Sequence, residues 1–235
     1  MKTIAARIEA GGERIWRMTD FGDLPAAAAA QALSRLTKAG SIQRLSKGTY
    51  YRARESKFGK TRPNPKAMQD IATKSRALFP AGATAANQLG FTTQLASQPE
   101  LSTSVSSVQR KLLEPDTIIH THRPDAWKRL ASDEAALLEF IRRGGRDSEL
   151  SPEQTIARLS HLISKPKTLR KLLDAASSEP PRVRAILGAL GEKIGADKKD
   201  LARLRRSLNP LSKFNFGIFS VLPTAKEWQA KDAQP

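Results

Sequence analysis

The sequence predicts an α+β fold in two parts, because helical periodicity, a strand–turn–strand pattern and an uneven charge distribution divide the chain. Of its 235 residues, 39% are hydrophobic, which is enough for packed cores in two modest domains. We predict a first domain over 1–62. A second, mixed but mostly helical domain with a small antiparallel sheet is predicted over 63–228, followed by a loose tail over 229–235.

Local signals define the helices of the first domain. Ile4 and Ile8 lie four residues apart and predict a short helix. A second short helix is predicted over 20–24, where Asp20 is a suitable N-cap. The alanine-rich run 26–38 has high helix propensity and predicts a long helix that stops at Gly40.

Two alternating segments after the long helix predict a β-hairpin. Residues 42–45 form the first strand and 49–52 the return strand, with Gly48 in the turn free to adopt a positive φ. The order helix, short helix, long helix, strand, turn, strand is that of a winged helix-turn-helix, which docks on duplex DNA.

The predicted long helix has one apolar side and one polar, basic side. At 100° per residue, small and apolar side chains gather on one side: Ala26, Ala29, Leu33, Leu36 and Thr37. The opposite side carries the candidate recognition residues Ala27, Ala28, Gln31, Ser34, Arg35 and Lys38. This division is what a recognition helix needs, because one side must pack while the other meets the major groove.

The residue types on the polar side match the edges of DNA bases. Gln31 can hydrogen-bond adenine, and Arg35 can form a fork onto guanine. Ala27 and Ala28 can contact thymine methyl groups, and Ser34 suits either a base or a phosphate.

Three further cations are predicted to bind the DNA backbone. Lys38 lies near the helix end and is expected on a phosphate, whereas Arg44 and Lys47 of the wing are expected on phosphate or at a minor-groove edge. Two alternatives remain open, namely that this surface is merely solvated or that it contacts a protein.

The charge of the chain favours a polyanionic partner. The net charge is +17 and the pI is about 10.5, and neutralised phosphates release counterions. Residues 1–65 carry +8, residues 66–125 carry +1 and residues 126–235 carry +8. Aromatic residues make up only 6%, which argues against stacking on single strands. A membrane partner is not expected, because no clear basic amphipathic helix with bulky apolar residues is found.

The second domain is predicted from caps and turns. Helices are expected from Ser132, from Ser151 and over 166–177, 181–194 and 197–208. Residues 100–123 alternate around the turn residues Pro115-Asp116 and predict the small antiparallel sheet. A last strand is predicted over 214–221.

Several kinds of chemistry find little support. The chain has no cysteine, which excludes disulfides and thiolate zinc sites. His120 and His122 share one face of a predicted strand, and Glu114 with Asp116 suggests a nuclease carboxylate pair, but neither set is complete. We therefore expect no enzyme, no catalytic residue, no metal and no cofactor. No signal-peptide stretch or 18-residue apolar run occurs, so the cytoplasm is expected.

Several segments resemble the AbiEi-type antitoxin family. The first is MTDFGDLP with ALSRLTKAGSIQRLSKGTYY, where Leu33-Ser34-Arg35-Leu36 leads to a basic, glycine-containing hairpin. The matching positions there are Lys38, Gly40, Ile42, Arg44, Leu45, Gly48 and Tyr50. The later stretches ATAANQLGFTTQ, PPRVRAILGALGE and SLNPLSKFNFG extend the resemblance over roughly 15–228.

The resemblance implies the antitoxin of a bacterial toxin–antitoxin operon. Such a protein represses its own promoter by binding inverted repeats. It is expected to be a monomer in solution or a dimer on DNA, with two copies on the two repeats. The resemblance also implies a nucleotidyltransferase-like toxin encoded next door. Two alternatives stay open: neutralisation of that toxin by direct protein contact, and a stand-alone winged-helix transcription regulator.

Overall fold

The computed structural model divides the chain into two compact units. Unit 1 comprises Met1–Arg76 and Ser107–Pro115, and unit 2 comprises Ala77–Ser106 and Asp116–Pro235. The structure describes residues 3–57, 59–64, 67–68, 71–72, 78–106, 108 and 110–232. The mixed α+β class is confirmed. Unit 1 extends past the boundary predicted at residue 62, and it includes a segment from much later in the chain.

Among its described residues, unit 1 contains a small three-stranded sheet and two helices of seven residues or more. Its helices are α1 (Ile4–Ala10) and α2 (Ala26–Lys38), and a 3-10 turn spans Met18–Phe21. Its main strands are β1 (Arg14–Arg17), β2 (Gln43–Ser46) and β3 (Thr49–Arg52). β3 lies between β1 and β2 and is antiparallel to both. Two-residue strands β4 (Glu55–Ser56) and β5 (Gly59–Lys60) form a second hairpin.

The structure confirms the two predicted helices α1 and α2 and the hairpin. Gly40 after α2 and Gly48 in the hairpin turn have φ of +73° and +72°, as their positions predicted. Strand β1 was not predicted. The helix predicted over 20–24 is wrong, because a 3-10 turn ends at Phe21, where a carboxylate oxygen of Asp20 accepts the Arg17 N–H.

The core of unit 1 is built around the buried side of α2. Leu33 is fully buried, and it belongs to one apolar cluster with Ile4, Ile8 and Phe21. The ring of Trp16 on β1 stacks on Phe21 with centroids 5.5 Å apart. The central sheet and both helices therefore share a single core.

Unit 2 contains six helices and a three-stranded sheet among its described residues. The helices are α3 (Gly82–Gln88), α4 (Ser132–Arg142), α5 (Pro152–Ile163), α6 (Pro166–Ala176), α7 (Pro181–Lys193) and α8 (Lys198–Arg206). The strands are β6 (Leu78–Pro80), β7 (Glu100–Thr103) and β8 (Ile118–His120). The capping box predicted at Ser151 is present, since Ser151 and Gln154 exchange hydrogen bonds. None of the helices in the described part of the chain is long and apolar enough to cross a membrane.

The prediction of an antiparallel sheet in the second domain is wrong for one of its two strand pairs. β6 is antiparallel to β7, but β7 is parallel to β8. Residues 104–117 separate β7 from β8, and a connection of this length permits the crossover that parallel strands require. The turn residues Pro115-Asp116 therefore lie in that crossover and do not form a hairpin.

The interior of unit 2 combines stacked rings with buried ion pairs. Phe91 stacks on Phe140 of α4 with centroids 4.0 Å apart. The side chain of Glu179 is completely buried, where it accepts hydrogen bonds from Trp127 Nε1 at 2.7 Å and from Arg142. Removing one partner of such a pair leaves a buried charge and is strongly destabilising.

The C-terminal segment differs from two predictions, a strand over 214–221 and a loose tail over 229–235. Residues Gly217–Val221 form a 3-10 turn, so that predicted strand is wrong. Phe214 forms an isolated β-bridge with Ala230, which is 4% exposed, and Trp228 is 1% exposed. Residues 229 and 230 therefore pack on unit 2, and residues 233–235 lie outside the described residues.

Truncation of Leu33 tests the packing of α2. Because this side chain has no exposed surface, we expect Leu33→Ala to lower the free energy of unfolding of unit 1 by about 2–5 kcal/mol. Hydrogen–deuterium exchange of the α2 backbone amides across a urea series measures this effect in the otherwise unchanged chain. Ser34→Ala, on the exposed side of the same turn, is the control and should shift stability by no more than about 0.5 kcal/mol. Equal effects of the two substitutions would contradict the assigned orientation of α2.

Candidate nucleic-acid interface

α2 presents one side to the core and the other to solvent. Ala29 and Leu33 are 1% and 0% exposed, and Leu36 and Thr37 are half-buried. Ala26, which was expected on the apolar side, is exposed. The helix begins after Pro25, which offers no side-chain acceptor to its first N–H groups.

All the residues predicted as DNA contacts on α2 are exposed. They are Ala27, Ala28, Gln31, Ser34, Arg35 and Lys38. This result agrees with the helical periodicity, since the apolar residues between them form the packed side. The surface therefore offers methyl groups, an amide, a hydroxyl and two cations along one helix.

The β2–β3 hairpin, which follows α2 in the sequence, carries two more exposed cations. Arg44 lies on β2, where its Nε is 3.4 Å from the carbonyl oxygen of Ser46, and Lys47 lies in the turn. The turn is anchored, because the backbone N–H of Met18 donates to the carbonyl of Gly48 at 2.8 Å. Thr49 and Tyr50 of the return strand are buried, so the hairpin that carries the exposed cations is packed against the core of unit 1.

The charge of this region is one-sided. Residues 24–54 contain six Lys and Arg residues and no Asp or Glu. Arg52 donates to the carbonyls of Ile8 and Glu9 at the end of α1, and Arg54 lies 3.7 Å from Glu13. The other four cations have no carboxylate partner in the part of the chain that the structure describes: Arg35, Lys38, Arg44 and Lys47.

Nearby carboxylates are neutralised by cations outside α2 and the hairpin. Asp23 forms a two-bond pair with Arg7 at 2.7 and 2.8 Å, and this pair lowers the pKa of Asp23 and raises that of Arg7. Asp20 lies 3.4 Å from Arg14 and 3.8 Å from Arg17. The positive charge of α2 and the hairpin is therefore not cancelled by the acids that precede them in the chain.

A structural role explains part of this charge. Arg35 and Lys38 lie in the last turn of α2, where cations stabilise the negative end of the helix dipole. Arg44 and Lys47 stand on a hairpin and gain nothing from that dipole. Helix stabilisation thus accounts for two of the four cations.

One part of this surface was missed by the sequence analysis. The 3-10 turn Arg110–Leu112 packs beside β2, with Leu112 buried and Arg110 and Lys111 exposed. No local pattern reveals this contact, because more than sixty residues separate the two segments. Gln43 on β2 is also exposed and was not among the predicted contacts.

The alternative sites considered from the sequence are not assembled. His120 Nε2 lies 2.9 Å from Glu100, whereas His122 has a φ of +64° and follows the strand, so the two imidazoles do not share a strand face. Glu114 and Asp116 are both exposed. Among the described residues, no cluster of three potential ligands is arranged to hold a metal ion.

Fold and surface together define the class: an α+β protein with an exposed basic helix and hairpin on its N-terminal unit. Residues 11–111 match the profile of DUF6088, described as a family of unknown function. No curated protein matches the sequence. A solved structure described as "Crystal structure of RV2827C protein from Mycobacterium tuberculosis" is similar at 14% identity and a TM-score of 0.45, covering 86% of this chain and 80% of that one.

The pH dependence of unit 1 provides a test of its hydrogen bonding. Tyr51 donates to Glu13 at 2.7 Å and lies 2.9 Å from Thr61, and these hydroxyls lower the pKa of Glu13. A carboxyl with a lowered pKa stabilises the fold above its ordinary pKa of about 4.3, and this contribution disappears as the pH falls through the lowered value.

We therefore expect Tyr51→Phe to destabilise unit 1 at pH 7 by more than it does below the pKa of Glu13. Urea unfolding of the variant and the wild type across this pH range measures the difference. Tyr50→Phe removes a neighbouring hydroxyl that has no carboxylate partner among the described residues, so its effect should not change with pH. A pH-independent effect of Tyr51→Phe would rule out the assigned role of Glu13.

Proposed function

We propose that this protein binds duplex DNA through unit 1, acting as a winged helix-turn-helix. The observation that carries the proposal is the group of four exposed cations on α2 and the β2–β3 hairpin, in a stretch of 31 residues without a single carboxylate. A surface of this kind attracts phosphates because binding releases condensed counterions. The four cations stand on a helix and a hairpin that share one apolar core.

The order of elements in unit 1 supports the proposal. α1, β1, the 3-10 turn, α2, β2 and β3 follow one another, and β3 occupies the centre of the sheet. In a winged helix-turn-helix the helix before the hairpin is the recognition helix, and the hairpin is the wing. α2 and the β2–β3 hairpin correspond to these two parts.

Residue chemistry then assigns the roles. Gln31 and Arg35 read base edges in the major groove, where an amide matches adenine and a guanidinium matches guanine. Lys38, Arg44 and Lys47 bind backbone phosphates and fix the register. Ala27, Ala28 and Ser34 line the same side of α2, where small side chains permit close approach.

The biological role that we propose follows the resemblance to AbiEi-type antitoxins. The protein represses its own operon by binding inverted repeats in the promoter, and two copies occupy the two half-sites. A nucleotidyltransferase-like toxin is encoded in the same operon. Such a repressor acts in the cytoplasm, where bacterial DNA lies, and it performs no catalysis.

Two substitutions separate base reading from phosphate binding. Arg35→Ala is expected to weaken the free energy of promoter binding by about 1–3 kcal/mol and to relax sequence preference, because the paired hydrogen bonds to guanine are lost. Lys47→Ala is expected to weaken binding to all sequences alike and to reduce the slope of log K against log salt by about 0.9. Fluorescence anisotropy with the upstream promoter fragment and a scrambled duplex, each at several salt concentrations, measures both effects.

Arg14→Ala is the matched control for these variants. It removes one cation from β1, the edge strand that β3 separates from β2, so promoter binding should stay close to that of the wild type. The proposal fails if the Arg35→Ala/Lys47→Ala double variant binds the promoter as tightly as the wild type does. If this double variant also loses co-purification with the product of the adjacent gene, the surface is a protein-binding site instead.

A further inference from the structure

A cleft in unit 2 joins two sequence segments to which no role has been given. The cleft has a volume of about 440 Å³ and lies where α4 ends and α7 begins, against residues 215–218. Arg182 comes from the segment PPRVRAILGALGE, and Asn215 and Gly217 come from SLNPLSKFNFG. Arg143, Gly144, Arg146 and Ile218 complete the lining.

Two glycines contribute backbone without a side chain to the lining of the cleft. Gly144 and Gly217 have φ of +70° and +59°, which L side chains rarely adopt. A Cβ on Gly217 would lie 2.5 Å from the carbonyl oxygen of Gly144, and a Cβ on Gly144 would lie 2.5 Å from Nη2 of Arg182. The absence of a side chain at Gly144 leaves room for the guanidinium of Arg182, and the absence of one at Gly217 lets its backbone approach that of Gly144.

Arg182 is held in a fixed orientation by uncharged groups. Its Nη1 donates to the carbonyl of Arg142 at 3.1 Å, and its Nε donates to the carbonyl of Asn215. These carbonyls fix the plane of the guanidinium but carry no net charge. The side chain is half-buried, so its charge is only partly solvated.

The cations of the cleft exceed its anions. Arg143 is neutralised by Asp147 through two bonds at 2.5 and 2.9 Å. Arg146 and Arg182 have no carboxylate partner within the described ranges, and none of the residues lining the cleft is acidic. Burial lowers the pKa of Arg182, and the neighbouring charge of Arg146 lowers it further. An anion bound beside both guanidinium groups would offset their mutual repulsion.

We propose that Arg146 and Arg182 form a binding site for a phosphate group. Guanidinium groups bind phosphate oxygens through paired, charge-assisted hydrogen bonds, and a pre-oriented guanidinium loses little entropy on binding. The volume of the cleft lies in the range of small-ligand sites, so it accommodates a phosphate together with an attached group. This phosphate site does not rest on the function proposed for unit 1.

Phosphate titration of the full-length protein tests the site. Inorganic phosphate is added at constant ionic strength, with chloride as the compensating anion, and binding is measured by calorimetry and by ³¹P line broadening. Arg146→Gln is the informative variant, because the side chain of Arg146 is exposed and makes no hydrogen bond to any described residue. We expect saturable binding to the wild type and a Kd at least about tenfold higher for Arg146→Gln.

Arg170→Gln is the control of equal charge loss. Arg170 is exposed on α6 and does not line the cleft, so its removal should leave the Kd unchanged. The proposal is overturned if the wild type shows no saturable binding, or if Arg146→Gln and Arg170→Gln weaken it equally.

Two further titrations identify the source of the phosphate. A nucleoside monophosphate that competes with inorganic phosphate assigns the site to small phosphate esters. A short duplex of unrelated sequence that competes through Arg146 assigns it to the nucleic-acid backbone, as a second contact on DNA. Either result supports the phosphate site, and neither depends on whether α2 reads a promoter.

Discussion

The burial of Leu33 determines which side of α2 can meet a partner. Its side chain is enclosed by α1, Phe21 and the sheet, and a rotation of the helix would expose it at a cost of about 1.5–3 kcal/mol in lost hydrophobic burial. Arg35 and Lys38 are consequently directed to solvent. The chemistry of the exposed side is thus a consequence of packing on the other side, and the function proposed for unit 1 depends on that orientation.

The distribution of charge along unit 1 also determines where a partner can bind. Carboxylates are confined to positions before residue 24 and after residue 54. Three of those carboxylates are neutralised by arginines, namely Arg7, Arg14, Arg17 and Arg54. Because these arginines are already paired, they compete little for a polyanion. Exposed ion pairs of this kind contribute little stability. Their main effect is on the electrostatic field, because they leave the positive potential concentrated on α2 and the hairpin.

The sequence predicted the elements that depend on local signals. α2 and its end at Gly40 follow from alanine propensity and a glycine stop, and the helices of unit 2 follow from prolines and caps. β1 was missed because four residues with a single buried side chain, Trp16, give no clear alternation. The pairing of β7 with β8 was predicted in the wrong direction, because strand direction depends on the path of the intervening chain and not on periodicity.

The candidate sites differ in the same way. The exposed residues of α2 could be predicted, since helical periodicity alone separates them from Leu33. The position of Lys111 beside β2 and the shared cleft of Arg146 and Arg182 could not be predicted, because each brings together residues distant in sequence. In the cleft, Gly144 has a positive φ and leaves room for the guanidinium of Arg182. A single sequence does not reveal which glycines have that conformation.

The segment Ser107–Pro115 makes unit 1 a discontinuous domain. The chain leaves unit 2 after β7, contributes a 3-10 turn beside β2, and returns to form β8. A gene fragment cut at the end of the hairpin would therefore encode an incomplete fold that lacks Leu112 and its neighbours. For the same reason, a single proteolytic nick between residues 57 and 77 would leave the N-terminal fragment attached to residues 107–115 by non-covalent packing alone.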